Sequence, residues 1–266
     1  MTEHIRVPIL DHGYVQLIET WGADERIIEA ARMSTDKGFR TWDPYVECKR
    51  CGIWQLDARH IEDCNSPLGP EHDWRPVPKG DAGLLSFLYK NKHSTPFEFA
   101  GLVFEIQLPI FVVREWHRHR TQSYAEMSAR YTPLPDFNYT PTVERCLVVS
   151  GANKQAGSAS DAPVLTHEAA LQWLEELADL YEHAQRVYDK GLRIGVPKEL
   201  ARLPVPVSRY TRMRASANLR NWLAFLTLRT DPAAQWEIRQ FAHQVASVIA
   251  QCYPRTYELF VAGGHA

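Results

Sequence analysis

Residues 101–120 read GLVFEIQLPIFVVREWHRHR, and the hydrophobic period changes inside them. Leu102, Phe104 and Ile106 fall on alternate positions, the repeat of a strand with one buried face, so a strand is expected over about 99–108. Pro109 has no amide hydrogen to offer a sheet, and its fixed φ suits the first turn of a helix. Beyond it Val112, Val113 and Trp116 share one helical face, while Arg114 and Arg118 stand one turn apart on another. A strand therefore runs straight into a helix, IFVVREWHRH, whose far end collects cations.

The neighbouring segments extend this alternation. Upstream, YVQLIETWG reads as a strand, and ADERIIEAARMS as a helix with Asp24 as N-cap and Ile27, Ile28 and Ala31 on one face. A second helix is expected over about 81–91, with a turn at Pro96. Downstream, Leu171, Leu174, Ala178, Tyr181, Ala184 and Tyr188 keep a helical period that Gly191 is expected to stop. VPVSRYTRMR reads as a strand, Asn218 as the cap of LRNWLAFLTLR, and Asp231-Pro232 as the start of a last helix ending before Pro254.

Strands interspersed with long helices imply an α+β fold, a central mixed or antiparallel sheet flanked by long α-helices. One domain is expected over 1–266. Two stretches interrupt it: a proline-rich insertion at about 41–80, and SGANKQAGSASDAP at 150–163, read as a flexible loop.

Composition narrows the function classes. Thirty basic against 32 acidic residues give a net charge of -2, and the pI is near 6.6. That balance lacks the positive surplus of non-specific nucleic-acid binding. No leader pattern opens the chain, and no run approaches the roughly 18 apolar residues of a membrane span, so a cytoplasmic protein without membrane or nucleic-acid partners is expected.

The arginines in EWHRHRTQSYAEMSARY, residues 115–131, together with Arg114, then need a local reason. Arg114, Arg118, Arg120 and Arg130 have only Glu115 and Glu126 nearby as counter-charges. Arginine grips phosphate with a planar fork, and Ser123 and Ser128 add neutral donors. The competing local reading is a capping box, Ser123 followed three residues later by Glu126. Arg229 points the same way as the other arginines. With Trp222 at zero and about 100° per residue, Arg229 falls at about -20°, inside the apolar stripe of its helix. A guanidinium placed there needs an anionic or acceptor-rich partner, from the protein or from a ligand. HSTPFEF, residues 93–99, reads locally as turn chemistry.

Taken together these segments resemble the flavin-dependent thymidylate synthases. Arg118-His119-Arg120, seven residues, then Ser128 and Arg130-Tyr131 match that family's signature. AARMS, HSTPFEF, VPKELAR and NLRNWLAFLTLRTDPAAQWEIRQFA follow in the family's order. The resemblance implies conversion of dUMP to dTMP, with methylenetetrahydrofolate as carbon donor and NADPH as reductant through bound FAD. It implies a thymidylate synthase-complementing-protein-like fold and a homotetramer with active sites between subunits. Thr95, Arg118, His119, Arg120, Glu126, Asn218 and Arg220 match FAD-binding positions, with Ser34 and His93 as further candidates. Glu115, Trp116, His117, Arg118, Glu126, Met127, Ser128, Ala129, Arg130, Arg202 and Arg229 match the dUMP set. Arg229 matches the arginine that stabilises charge at N3 of the pyrimidine, a catalytic role. Ser128 is assigned to positioning rather than attack. Four positions depart from the family's usual residues: Ala125 and Ala224 for Asn, Glu115 for Gln, and Phe99 for His.

The insertion lies outside the resemblance. Cys48 and Cys51 form a C-x-x-C, and Cys64 with His60 or His72 could complete four ligands for a structural zinc. Two rival readings follow from these features: a zinc-ribbon module binding RNA, and a flavin-independent nucleotide-phosphate enzyme sharing only the anion site. Near-neutral charge opposes the first.

Overall fold

The computed structural model describes residues 6–49, 52–56, 73–149, 157 and 163–264. The hairpin β1 (Arg6–Ile9) and β2 (Gly13–Trp21) leads into α1 (Asp24–Arg32). The insertion carries β3 (Tyr45–Cys48), β4 (Trp54–Gln55) and β5 (Trp74–Val77). After α2 (Gly80–Lys90) and a 3-10 turn at Thr95–Phe99 come β6 (Gly101–Pro109), α3 (Ile110–Trp116) and β7 (Ser123–Glu126). The chain continues through α4 (Val143–Leu147), α5 (His167–Arg193), α6 (Lys198–Ala201) and β8 (Tyr210–Asn218). It closes with α7 (Leu219–Arg229), α8 (Trp236–Cys252) and α9 (Pro254–Ala262).

The main sheet has the order β1-β2-β6-β8-β7, every neighbouring pair antiparallel. Its alternation is one-sided, as an antiparallel sheet allows. Leu102, Phe104, Ile106 and Leu108 are fully buried, whereas Glu105 on the other face ties Tyr14 to Arg214. Across the ladder Phe104 pairs with Ala215 and Leu102 with Ala217. Small residues on β8 leave room for helix side chains: Trp222 meets Phe104 edge-on at 5.0 Å and donates its indole N–H to Leu102 O at 3.1 Å. Phe225, Phe241, Val245 and Ile249 complete the layer.

Several expectations need correction. Ala23, not Asp24, holds the cap position of α1. Asp24 is 4 % exposed, and its carboxylate accepts from the Arg255 and Thr256 amides at 2.9 and 3.2 Å, so it serves the first turn of α9 instead. Burial pushes its pKa up despite those bonds. Ser123 to Glu126 form β7, paired with β8, and no capping box exists. Sheet pairing outweighed the local signature. The strand placed at 205–214 begins at Tyr210, the cation-bearing helix ends at Trp116, and the last long helix begins at Trp236. Gly191 lies inside α5, where it packs close to Ala201; Gly195, at φ +86°, follows the helix end. Asn218 does cap α7, its Oδ1 accepting from the Asn221 amide at 2.9 Å.

The insertion forms a three-stranded sheet of order β4-β3-β5. Arg32 holds its root by a two-pronged contact with the fully buried Asp81, at 2.8 and 2.5 Å, and a bond to Tyr45. Glu47, 3 % exposed, sits between Lys37, Arg40 and Arg75 at 2.6, 2.8 and 2.6 Å. Burial opposes its ionisation, but the three cations prevail and hold its pKa at about 2. A depressed carboxylate pKa gives stability that is complete above the unfolded value and lost as pH falls toward the folded one. Glu47→Gln is therefore expected to cost roughly 2 kcal/mol at pH 7, discounted because Lys37 and Arg75 are partly solvated. In urea titrations the deficit should shrink between about pH 4.5 and 2. A deficit equal at both ends would rule out this ionic origin.

Candidate functional site

The β6–α3 junction builds the first part of the site. Pro109 takes φ -65° and ψ 146° as the cap of α3, and Val112, Val113 and Trp116 anchor that helix in the core. Trp116 lies 4.5 Å from Phe225, and its indole N–H donates to Gln122 Oε1 at 3.0 Å. The Tyr124 hydroxyl donates to His119 O at 2.8 Å. These bonds fix both ends of the 117–122 loop, which leaves Arg118 and Arg120 exposed. Among the described residues neither has a carboxylate partner. Their charges are thus available to an outside anion.

Arg229 reaches the same loop from the end of α7. Its side chain is 14 % exposed. Nε donates to His119 Nε2 at 2.9 Å, Nη1 to Glu115 Oε2 at 3.0 Å and Nη2 to Glu115 O at 2.8 Å. Burial and the adjacent guanidinium push the His119 pKa down to about 4, so the imidazole is neutral and can accept. The partner demanded by an arginine so largely covered is therefore supplied within the protein. Glu115 is part of that support.

A second cluster forms where β7 meets β8. The Met127 amide donates to Arg212 O at 2.8 Å, turning the chain so that Glu126, Met127 and Ala129 face Arg202 across a cavity of about 240 Å³. Ser128 Oγ accepts from the Arg130 amide at 3.3 Å, and Arg130 lies 3.5 Å from Glu199. The cavity floor includes Thr211, which sequence reading missed. It is 1 % exposed, and its hydroxyl has no partner. Its β-branched shape in a strand gave no sign of this; only the neighbours' arrangement does. His117 Nε2 is likewise buried and unpartnered.

A third group lies around a cavity of about 560 Å³, which His93 and Arg220 line. Arg220 pairs with Glu98 at 2.5 Å, beside Thr95 on the 3-10 turn. Gly101 pairs with Asn218, bringing that turn next to the start of α7. Ser34 stands exposed on a separate 3-10 turn after α1 and lines none of these cavities. The candidate residues thus gather into three neighbourhoods, not one enclosed pocket.

In the insertion, Cys48 is buried at the end of β3, and the amide of Gly52, at φ +74°, donates to Cys48 O at 2.9 Å. Cys51, His60, Cys64 and His72 lie outside the described residues. Among the described residues no group of three His, Cys, Asp or Glu side chains is placed to hold a metal. No described helix is long and apolar enough to cross a membrane.

The family described as thymidylate synthase complementing protein matches residues 16–255. The chain is 34 % identical over 263 residues to the flavin-dependent thymidylate synthase of Rickettsia bellii, covering 96 % of this chain and 77 % of that one. It is 33 % identical over 253 residues to the corresponding enzyme of Thermosipho melanesiensis, with 95 % and 92 % covered. Among solved structures, the UMP/dUMP methylase PolB from Streptomyces cacaoi, bound with 5-Br UMP, aligns over 96 % of both chains with TM-score 0.70 and 26 % identity. The arginine framework and the antiparallel core thus sit in a chain that belongs to the thymidylate synthase complementing protein family.

Proposed function

We propose that the protein is a flavin-dependent thymidylate synthase, methylating dUMP reductively to dTMP with methylenetetrahydrofolate and NADPH. One observation carries the reading: Arg229, largely covered on an apolar helix face, is fixed by His119 and Glu115 beside two uncompensated arginines. A cation fixed before the reaction favours negative charge developing on a pyrimidine and makes its C5 more nucleophilic.

The residues fit a flavin dinucleotide. Its pyrophosphate needs unpaired cations, which Arg118 and Arg120 provide, while Thr95, Glu126, His119, Asn218, Arg220, His93 and Ser34 complete the proposed set. Bound FAD would carry reducing equivalents from NADPH to the transferred carbon. For dUMP the set is Glu115 to Arg118, Glu126 to Arg130, Arg202 and Arg229. Arg202 and Arg229 lie in different neighbourhoods, which suits a site completed by another subunit. The exposed apolar residues Trp173, Leu180, Val187 and Ile194 recur every seventh position along α5 and its end, supporting helix packing in a homotetramer. We place the reaction in the cytoplasm, where the thiols stay reduced.

The test is direct. Purified protein should carry a flavin spectrum bleached by NADPH, and form dTMP when dUMP and methylenetetrahydrofolate are added. Supplying UMP in competition measures whether the ribose is discriminated. A colourless protein that cannot be reconstituted with FAD would overturn the reading.

Two narrower expectations accompany it. Thr211→Val keeps the side-chain shape and removes the unpartnered hydroxyl; it should raise the KM for dUMP about fivefold with no loss of thermal stability. An unchanged KM would remove Thr211 from the nucleotide site. For the insertion we propose structural zinc on Cys48, Cys51 and Cys64, with His60 or His72 as fourth ligand. Metal analysis of protein purified without chelator should find about one zinc per chain. Metal-free, stably folded protein would reject the site.

A further inference from the structure

The largest cavity among those described, about 560 Å³, extends well past the residues proposed to touch flavin. Leu88, Phe97 and Leu223 form its apolar floor, all 4–8 % exposed. Tyr89 and Phe97 meet edge-on at 6.0 Å, and burial keeps the Tyr89 hydroxyl protonated by pushing its pKa up. The rim is cationic: Lys90 ends α2, Lys92 follows at φ +56°, and Arg220 faces them. Arg220 is already matched by Glu98, but among the described residues Lys90 and Lys92 have no carboxylate partner, and none lines the cavity. Ala224 lines one wall with a methyl group alone.

An aromatic cleft edged by two unneutralised, flexible ammonium groups fits a flat ring that carries a chain of spaced carboxylates. We propose that it is the subsite for the p-aminobenzoyl ring and γ-linked glutamate chain of the folate co-substrate, with Lys90 and Lys92 pairing the second and later glutamates. The inference rests on the proposed synthase activity. His93 and Arg220 connect this cleft to the flavin candidates, so a folate whose reactive end meets the flavin would have its tail here. A dinucleotide's single 2′-phosphate matches the rim less well. One compact dianion would be gripped by a planar fork such as arginine's, whereas separate lysines suit separate charges.

The test compares methylenetetrahydrofolate as monoglutamate and as triglutamate with the FAD holoenzyme, dUMP and NADPH. The wild type should show a KM about fivefold lower for the triglutamate, the expected gain from two exposed ion pairs. Lys90→Ala/Lys92→Ala should bring the ratio near one, as should raised ionic strength, whereas Lys90→Arg/Lys92→Arg should retain it. Both lysines are exposed, so folding is preserved and is verified by thermal melting. A wild-type ratio of one, or a ratio untouched in the alanine variant, overturns the proposal. A KM for NADPH that rises in the alanine variant while the folate ratio persists also overturns it and assigns the rim to the dinucleotide. Direct binding of mono- and triglutamyl tetrahydrofolate, followed by tyrosine and tryptophan fluorescence, gives the same ratio without turnover. Tail-dependent binding without dTMP formation would sink the synthase reading and leave the subsite standing.

Discussion

Replacing Arg229 by alanine lowers dTMP formation by about 10³-fold while FAD stays bound, the range seen when one preorganised charge-stabilising donor is removed. The fall has two sources here. The cation that stabilises charge on the pyrimidine is lost, and Glu115, freed from its 3.0 Å ion pair, is left as a carboxylate near the developing negative charge. The second source can be isolated. Glu115→Gln in the Arg229→Ala background should recover about tenfold, since it removes a like charge. Arg229→Lys should not restore the wild-type rate, because one ammonium cannot replace three N–H bonds directed at His119, Glu115 Oε2 and Glu115 O. Loss of the guanidinium also removes one of the influences holding the His119 pKa near 4, so that pKa should rise in the variant. Tritium release from C5-labelled dUMP measures the chemical step, and near-normal release would refute the catalytic role.

Arg118→Ala should act differently, through binding on both sides. Arg118 is exposed and has no carboxylate partner among the described residues, so its loss leaves stability within about 0.5 kcal/mol. It belongs to both the flavin and the nucleotide sets. Charged hydrogen bonds to phosphate are worth about 1.5–3 kcal/mol each, so FAD affinity and kcat/KM for dUMP should each fall by about 10–100-fold. Arg118→Lys restores charge without the fork and should recover only part of either. If flavin content and the KM for dUMP both stay at wild-type values, Arg118 faces solvent and the shared-wall assignment fails. Comparing the two variants separates a residue fixed for chemistry from one held in reserve for ligand.

Much of this was legible in the chain itself. The period change at Pro109 gave strand then helix, and the arginine-rich run beyond it, read with Arg229, pointed to an anion site. Asn218 was readable as a cap because its role is local. The errors arose where distant partners compete with local signatures. Ser123 and Glu126 carry the letters of a capping box, yet β8 offers them a ladder with four register pairs, and pairing prevailed. Asp24 has the letter of an N-cap, but α9 approaches from more than two hundred residues away and takes its carboxylate.

By itself the sequence determined the α+β class and the family, because periodicity and ordered motifs are properties of the chain. Only the tertiary structure decided which charges are satisfied and which remain available. Glu115 reads in the chain as a counter-charge to its neighbouring arginines and proves to be the ion partner of Arg229, 114 residues away. Thr211 looked like an ordinary strand residue and has a buried hydroxyl without a partner. Lys90 and Lys92, which carry no motif in the chain, border an aromatic cleft. Charge compensation depends on distances of a few ångströms between residues far apart in the chain, and folding alone sets those distances.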